Sequence, residues 1–408
     1  FNTVFAGGFR IGVSEKLVVR ALAATAGIDA SILSRRMTGY REASAEAYRA
    51  LMSAESSDLD AGAAYPFYLA SPLSDPSELP GTLSDWLFEW KWDGIRLQII
   101  VRNGVVTLWS RGEETINPSF PDLVDVARRL PDGTVIDCEL LARRTAERQG
   151  IDGEVAETRD RPAPFSALQR RLGRKRVTQA ILRDYPVYVS AYDLLELEGV
   201  DLRAEPIEKR REWLRQVREQ PAVADVIRFS PEVAVNTVEE LEELRLTARD
   251  RGVEGLMIKR KGSAYRSGRT RGEWWKYKAD PFTLDGVLIY AQAGSGKRAN
   301  LFTDYTFGLR GPDGLVPFAK AYSGLDNTEI ARLDRWIRQN TVERYGPARA
   351  VRPELVFEIA FEGISPSTRH KSGIAVRFPR ILRPRDDKSP EEADSLEDAW
   401  HLMERYNR

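Results

Sequence analysis

A β-hairpin signal near residue 100 places the strongest constraint on how this chain folds. Two β-rich runs, 97–102 and 105–110, flank Asn103-Gly104, a dipeptide preferred in two-residue hairpin turns. The same patterns predict further strands at 135–141, 187–194, 255–259 and 274–278, and helices at 120–130, 207–217 and 238–251. Mixed helix and strand patterns without regular alternation predict an α+β fold for the region between residues 86 and 280.

The first 57 residues show helical periodicity. Ser14 is placed to cap a helix whose apolar positions recur at helical spacing until Gly27, and a second helix is predicted at 44–52. A few short helices cannot bury much of a core alone, so we expect either a small appendage or the end of a larger helical domain.

Two proline-marked boundaries divide the rest of the chain. Residues 58–84 contain four prolines among Gly, Ser and Asp, which is typical of a linker. Pro281 precedes a second set of short strands, at 284–291, 305–310, 316–322, 355–361 and 375–378, with a helix at 328–345. Many short strands with one inserted helix favour a small antiparallel barrel of the oligonucleotide-binding (OB) type.

Composition excludes several classes of protein. The 408 residues contain one cysteine, Cys138, and two histidines, His370 and His401, so we expect neither a disulfide framework nor a zinc site built on cysteines or histidines. No apolar run approaches the ~20 residues that span a bilayer, and the first residues lack the pattern of a signal peptide. We therefore expect a cytoplasmic protein that has no membrane partner.

The balance of 61 basic and 61 acidic residues hides local clusters. Eight Lys or Arg residues and one Glu lie between 259 and 278, interleaved with aromatic residues, and five basic residues lie within 169–176. Such stripes are typical of phosphate-backbone binding, although an exposed helix end explains the second equally well. The sequence therefore allows a nucleic-acid partner and predicts that charge is polarised across the fold.

One segment carries a candidate nucleophile: Glu89-Trp90-Lys91-Trp92-Asp93-Gly94-Ile95-Arg96. A lysine amine attacks only when neutral, and neighbouring cations together with removal from water favour the neutral form. Taken alone, a K-x-D-G pattern is short and is most often a strand end followed by a turn. The motifs elsewhere in the chain favour a catalytic lysine instead.

Further motifs follow Lys91 in a fixed order. They are Ser110-Arg111-Gly112, Asp137-Cys138-Glu139-Leu140, Ala191-Tyr192-Asp193, Glu254-Gly255-Leu256-Met257-Ile258-Lys259, Trp274-Trp275-Lys276-Tyr277-Lys278, Arg377-Phe378-Pro379-Arg380 and Arg385-Asp386-Asp387-Lys388. The series resembles the covalent lysyl-nucleotidyltransferase superfamily over about residues 66–390. Its last two motifs, and the N-terminal segment around Gly8–Val13, resemble bacterial ATP-dependent DNA ligases most closely.

The resemblance implies an architecture and an activity. It implies an ATP-grasp-like nucleotidyltransferase (ligase adenylation) domain at 66–281 and an OB-fold β-barrel with a C-terminal helix at 282–408. A short all-α segment at 1–65, the end of a DNA-binding domain plus a linker, precedes them. The activity implied is the sealing of nicks in duplex DNA. AMP is first transferred from ATP to a lysine and then to the 5′-phosphate, which the 3′-hydroxyl attacks.

Roles for individual residues also follow from the matching positions. Lys91 is the nucleophile; Glu89 reads the adenine amino group, Trp90 shields the site, and Tyr192 stacks on the base. Arg96 and Arg111 hold the ribose or the nick phosphate, and Lys259, Lys276 and Lys278 neutralise the α-phosphate. Glu254 and Glu139 ligate Mg²⁺ or Mn²⁺, since hard cations prefer carboxylate oxygens. Asp93 fixes the turn after Lys91. Arg380, Arg385 and Lys388 orient pyrophosphate.

Two alternatives use the same residues differently. An RNA ligase or an mRNA guanylyltransferase shares the lysyl-nucleotidyl chemistry, and the nucleotide that labels the protein discriminates between them. A catalytically silent DNA-binding clamp would lack a motif lysine, and all of these lysines are present. An NAD⁺-dependent ligase is not expected, because the zinc-finger cysteines of those enzymes are missing here.

We expect a monomer acting on nicked DNA in the bacterial nucleoid, in replication, repair or recombination, with partner enzymes that the sequence does not identify.

One motif resembles a phosphate-binding loop without matching it. In the run 291–298, Ala291 and Arg298 replace the Gly and the Ser or Thr that the pattern G-x-x-x-x-G-K-[ST] requires. We interpret this run as a basic loop of the barrel.

Overall fold

The computed structural model describes residues 15–28, 33, 36–37, 44–53, 64–112, 114–144, 161–294 and 300–407. The chain divides into two compact units, Phe1–Ala279 and Asp280–Arg408. The Gly8–Val13 segment and residues 295–298 of the basic loop lie outside the described residues. The predicted boundary at residue 65 does not divide units and stays a prediction.

The first unit contains helices and strands throughout. Its α-helices are α1 (Glu15–Ala26), α2 (Ala45–Met52), α3 (Pro121–Ala127), α4 (Phe165–Gln169), α5 (Gln179–Asp184), α6 (Ile207–Arg218), α7 (Pro221–Ala224) and α8 (Val238–Thr247). Its strands are β1 (Tyr68–Leu69), β2 (Ser71–Pro72), β3 (Trp86–Trp92), β4 (Ile95–Arg102), β5 (Val105–Ser110), β6 (Thr134–Ala142), β7 (Val187–Leu197), β8 (Val200–Asp201), β9 (Ile227–Phe229), β10 (Val253–Arg260), β11 (Gly268–Arg269) and β12 (Trp274–Lys278).

Two sheets form the body of this unit. One has the strand order β2-β12-β10-β3, and the other has the order β5-β4-β6-β7-β8 with β9 alongside β7. The predicted hairpin is confirmed: β4 and β5 pair antiparallel around Asn103 and Gly104, whose φ angles of +52° and +71° are those a primed turn requires. Buried side chains from both sheets, among them Ile100, Val135 and Trp274, share one apolar cluster.

The predicted N-terminal helices are also present. Helix α1 ends at Ala26, and Gly27 follows with φ +66°, as a helix C-terminus favours. Ser44 caps α2 by accepting a hydrogen bond from the Ala47 amide. A small apolar cluster, including Val19, Leu33 and Leu51, packs them together.

The proline-rich stretch is not a linker from residue 64 onwards. Tyr65 and Tyr68 are buried, β1 pairs parallel with β11, and β2 pairs parallel with β12. The side chain of Gln98 exchanges two hydrogen bonds with the backbone of Tyr65, each 2.8 Å long. Two-residue strands between prolines show no periodicity, so composition alone misassigned them.

The second unit is a curved antiparallel sheet around its own core. It contains β13 (Phe282–Ala293), β14 (Phe302–Gly311), β15 (Gly314–Ala321), α9 (Asn327–Gln339), β16 (Thr341–Tyr345), β17 (Ala348–Val351), β18 (Val356–Phe361), β19 (Gly363–Pro366), β20 (Ile374–Arg377), β21 (Arg380–Pro384) and α10 (Leu396–Asn407). The long β13 pairs with β14 on one edge and with β18 and β17 on the other. The Ile381 amide donates to Ser323 O at 3.0 Å, which brings β21 back to the end of β15.

The helix predicted at 328–345 is too long. It ends at Gln339, and residues 341–345 form β16, which pairs with β17. The β-branched Thr341 and Val342 favour a strand, and Gly346 turns the chain at φ +57°. Among the helices of the described ranges, none has the length and apolar character needed to cross a bilayer.

A bulge in β10 requires glycine. The register between β10 and β3 shifts between Val253 and Leu256, and within the bulge Gly255 has φ +135°. A Cβ atom there would lie 2.2 Å from the Tyr277 carbonyl oxygen. We therefore expect Gly255→Ala to lower the free energy of unfolding by about 2 kcal/mol or more, since it adds a clash to backbone strain.

Gly272 supplies the matched control for this substitution. Its φ of +105° is also unfavourable for alanine, but no heavy atom lies within 4 Å of the position that a Cβ atom would take there. Gly272→Ala should cost only about 1 kcal/mol of strain. Urea midpoints of both variants measure the difference, and equal losses would contradict the proposed clash.

Candidate active site

Alternation of side chains along β3 separates a charged face of the sheet from an apolar one. Glu89 and Lys91 lie on one face, level with Met257 of β10 and Lys276 of β12. We call this the lysine face, defined by Glu89, Lys91, Lys259, Lys276 and Lys278. The other face carries Phe88, Trp90, Leu256, Ile258, Trp275 and Tyr277, which pack against Leu241 of α8.

Trp90 therefore does not line the same space as Lys91. Its ring packs in the apolar clusters beneath the sheet, and the Arg251 guanidinium lies 5.3 Å from its centre. Trp90 lies on the face opposite Lys91 because neighbouring residues of a strand point to opposite faces, and its predicted role at the nucleotide stays a prediction.

Lys91 is held by a carboxylate of the adjacent strand. Its Nζ lies 2.5 Å from Glu254 Oε2, and Lys278 Nζ lies 3.4 Å from the same oxygen. Glu254 sits in the β10 bulge, directly before Gly255, and the exposed fraction of its side chain is 15%. The sequence-predicted nucleophile, metal ligand and phosphate-binding lysine are thus in direct contact.

Positive charges gather around Lys276. Burial lowers the pKa of Lys276, and cations around it lower it further. Those cations are Lys278, Lys91, Arg269 and Arg111. Because like charges at close range disfavour one another, this cluster favours an anion of several charges, such as a polyphosphate. Arg111 comes to this place because its amide donates to Arg96 O at 3.0 Å.

The turn after Lys91 brings a second carboxylate to the site. The Gly94 amide donates to Glu139 Oε1 at 3.2 Å, and a Cβ on Gly94 would lie 2.2 Å from Leu140 O. The Asp93-Gly94 turn therefore requires glycine. Burial raises the pKa of Glu139 to about 8, and the carboxylates of Glu254 and Asp93 also raise it. The positive charges of Lys91 and Arg96 act in the opposite direction.

Arg96 is fixed by a fully buried carboxylate. Its Nη2 and Nε donate to the two oxygens of Asp137 at 2.7 and 3.2 Å. The hydroxyls of Tyr192 and Tyr265 donate to the same carboxylate at 3.0 and 2.6 Å. Asp137 thus positions Arg96 and the Tyr192 ring together. Its motif was recognised in the sequence, but Asp137 itself was given no role.

Glu89 lies between two buried cations. Arg211 Nη1 donates to Glu89 Oε1, and Lys259 Nζ lies 2.5 Å from Oε2. Lys259 also lies 4.5 Å from the centre of the Tyr192 ring. Lys259 was expected to neutralise the α-phosphate; the structure instead buries it, with 1% exposed, in contact with Glu89. Burial lowers the pKa of Lys259. Sequence reasoning missed Arg211, because its helix shows only an amphipathic pattern.

Three predicted site residues lie in the second unit. Arg385 Nη1 and Lys388 Nζ each donate to Asp285 Oδ2 at 2.6 Å, and Arg380 Nη1 donates to Glu362 at 2.9 Å. These contacts all lie within that unit. The predicted role of the three residues toward pyrophosphate therefore stays a prediction.

The carboxylates near Lys91 fit a hard divalent cation. Glu254 contacts two ammonium groups, and the Glu139 carboxyl lies close enough to Glu254 for the two charges to interact. No group of three or more His, Cys, Asp or Glu side chains converges on a metal position among the described residues. Two carboxylates suit Mg²⁺, which keeps waters and takes phosphate oxygens as further ligands.

The fold and the lysine face define the class as a lysyl-nucleotidyltransferase-type domain followed by an OB-fold domain. Family models identify the chain further. The model of the ATP dependent DNA ligase domain matches residues 68–278, and that of the ATP dependent DNA ligase C terminal region matches residues 298–388. The chain belongs to the ATP-dependent DNA ligase family, which confirms the α+β fold and the suspected superfamily.

Individual relatives agree. A probable DNA ligase of Koribacter versatilis is 37% identical, over 82% of this chain and 59% of that protein. A probable DNA ligase of Anaeromyxobacter sp. is 33% identical, over 96% and 73%. A solved structure from a study of Lig E DNA ligases, 20% identical over 79% of this chain and 100% of that one, shares the fold with a TM-score of 0.50. The chain spans about half the length of the first curated relatives.

Loss of the Asp137 charge should destabilise the site. Asp137→Asn keeps the shape of the side chain but leaves Arg96 without its buried counter-charge. We expect it to lower the free energy of unfolding by about 3–5 kcal/mol. As a control, Asp125 forms an ion pair with Arg128 in which both side chains are more than 60% exposed. Asp125→Asn should cost about 0.2–1 kcal/mol. Urea unfolding measures both, and comparable losses would show that Asp137 is not the electrostatic anchor.

Proposed function

We propose that this chain is the catalytic part of a DNA ligase that uses ATP to seal nicks in duplex DNA. The observation that carries the proposal is the position of Lys91, in contact with Glu254 and surrounded by the cations near Lys276. Membership of the ATP-dependent DNA ligase family supports it. The matched models and relatives favour neither an RNA ligase nor a guanylyltransferase.

In the first step, the neutral amine of Lys91 attacks the α-phosphorus of ATP. A P–N bond forms, the P–O bond to the β-phosphate breaks, and pyrophosphate leaves. The ammonium proton of Lys91 is already shared with Glu254 Oε2 at 2.5 Å, so this carboxylate is the group placed to receive it. Lys276 and Lys278 hold the polyphosphate by charge, and positioning with charge neutralisation supplies most of the catalysis.

A divalent cation fits the same place. Glu254 and Glu139 are the residues that would hold Mg²⁺ or Mn²⁺. Bound there, the ion supplies neutralisation of the phosphate charge.

The later steps transfer the AMP to DNA. The 5′-phosphate of a nick attacks the lysyl-bound phosphorus, which regenerates the Lys91 amine. The 3′-hydroxyl then attacks the activated 5′-phosphate, loses its proton and displaces AMP. We propose that Arg96 and Arg111 hold the ribose or the nick phosphate and that Tyr192 stacks on the adenine. Arg380, Arg385 and Lys388 orient pyrophosphate.

The physiological setting follows from the substrate. Exposed cations such as Arg260 and Arg269 support contact with the DNA backbone, with an affinity that falls as salt increases. We propose a monomer that acts on nicked DNA in the nucleoid.

The basic cluster at 169–176 contributes less to DNA contact than its composition suggests, because Arg171 is fully buried and pairs with Asp122.

Removal of the nucleophile tests the first step. Lys91→Ala should abolish formation of the covalent adduct from α-labelled ATP, because no other group can replace the attacking amine. Lys209 is an exposed lysine of α6 that pairs with Glu205, so Lys209→Ala is the control and should keep the parental adduct. Adduct formation at the parental level in Lys91→Ala would refute the assignment, and labelling by GTP alone would favour a capping enzyme.

Glu254 tests the metal assignment. Glu254→Gln removes one charged ligand, so the Mg²⁺ concentration for half-maximal adduct formation should rise by about tenfold or more. Glu243 lies on α8, away from the lysine face, and Glu243→Gln serves as the control. An unchanged Mg²⁺ dependence in Glu254→Gln would exclude it as a ligand.

A further inference from the structure

Arg211 has no predicted role, yet it forms a buried ion cluster with Glu89 and Lys259. Each of the three side chains is about 1–2% exposed. Taking one carboxylate and two cations out of water is costly, so stability alone is a weak explanation for this cluster. Its location is informative, because Lys259 also lies against the ring of Tyr192.

Arg211 is held from several sides. Its Nη2 donates to Ser230 O at 2.9 Å, its guanidinium lies 4.4 Å from the centre of the Phe229 ring, and its Nε lies 3.7 Å from Glu232 Oε1. Helix α6 and the segment after β9 therefore fix the position of the guanidinium N–H donors of Arg211. The Glu89 oxygen that accepts from Arg211 is fixed with it.

We propose that Arg211 is a positioning residue that sets the purine specificity of adduct formation. This inference rests on the proposed function, in which Glu89 reads the base. An ionised carboxylate only accepts hydrogen bonds, at about four lone-pair positions, and the two cations occupy two of them. The remaining positions accept the amino group at position 6 of adenine and repel an oxygen there. The ligand class is therefore a 6-aminopurine nucleoside triphosphate.

Arg210 provides a matched comparison within the same helix. It is also fully buried, and its Nε and Nη2 donate to the two oxygens of Asp193 at 2.7 and 3.0 Å. It also donates to Ser263 O at 3.0 Å. Its partners are structural and do not include Glu89. A general effect of losing a buried arginine in α6 should therefore be the same at both positions, whereas an effect on base selection should occur at Arg211 alone.

The experiment compares ATP with ITP, which carries oxygen at position 6. Initial rates of adduct formation are measured for the full chain and for Arg211→Gln, Arg211→Lys and Arg210→Lys. In Arg211→Gln the preference for ATP over ITP should fall by about tenfold or more, the value of a hydrogen bond to a charged group. The change should lie mainly in KM for ATP, with kcat within about threefold. Arg211→Lys, which keeps the charge without the fork, should be intermediate, and Arg210→Lys should keep the parental preference.

Two results would overturn the inference. One is an equal slowing with both nucleotides at an unchanged preference in the Arg211 variants, and the other is the same loss of preference in Arg210→Lys. If Arg211→Gln does not fold, Arg211→Lys decides. Failure of the parent to form any adduct with ATP would instead contradict the proposed function, so the two failures are distinguishable.

Discussion

The contact between Lys91 and Glu254 depends on the way β3 and β10 pair. Alternation along β3 gives the sheet one apolar face, which packs on α8, and one face that carries charged side chains. The bulge at Gly255 interrupts the regular register next to Lys91, and Glu254 sits within it. The same short segment thus serves both the hydrophobic core and the reactive amine, which explains why the motif alternates tryptophan with charge.

Buried charges around this face are paired with opposite charges. Asp137 neutralises Arg96, and Glu89 is neutralised by Arg211 and Lys259. Asp137 also accepts a hydrogen bond from the Tyr192 hydroxyl. In the proposed function, Glu89 uses its remaining lone pairs to accept a hydrogen bond from the base. In contrast, Lys276 is surrounded by cations that lower its pKa, and a polyphosphate would relieve this repulsion.

Much of this could be predicted from the sequence, where local pattern determines the outcome. The hairpin and β12 follow from turn chemistry and alternation, while motif order makes Lys91 the predicted nucleophile. The errors have specific causes. Residues 68–72 pair in parallel with β11 and β12, and no local pattern reveals these pairs. The sequence did not reveal that Trp90 lies opposite Lys91, because a motif gives proximity along the chain and not direction. Lys259 and Arg211 were misjudged or missed because their counter-charge, Glu89, is distant in sequence.

The central claim is that AMP becomes attached to Lys91. Incubation of the parent chain with ATP and Mg²⁺, followed by proteolysis and mass spectrometry, locates the modification directly. The account predicts the mass of one AMP group on the peptide that contains Lys91, and its loss as pyrophosphate is added. Modification of Lys276 or Lys278 instead, or no modification under conditions where nicks are sealed, would contradict it.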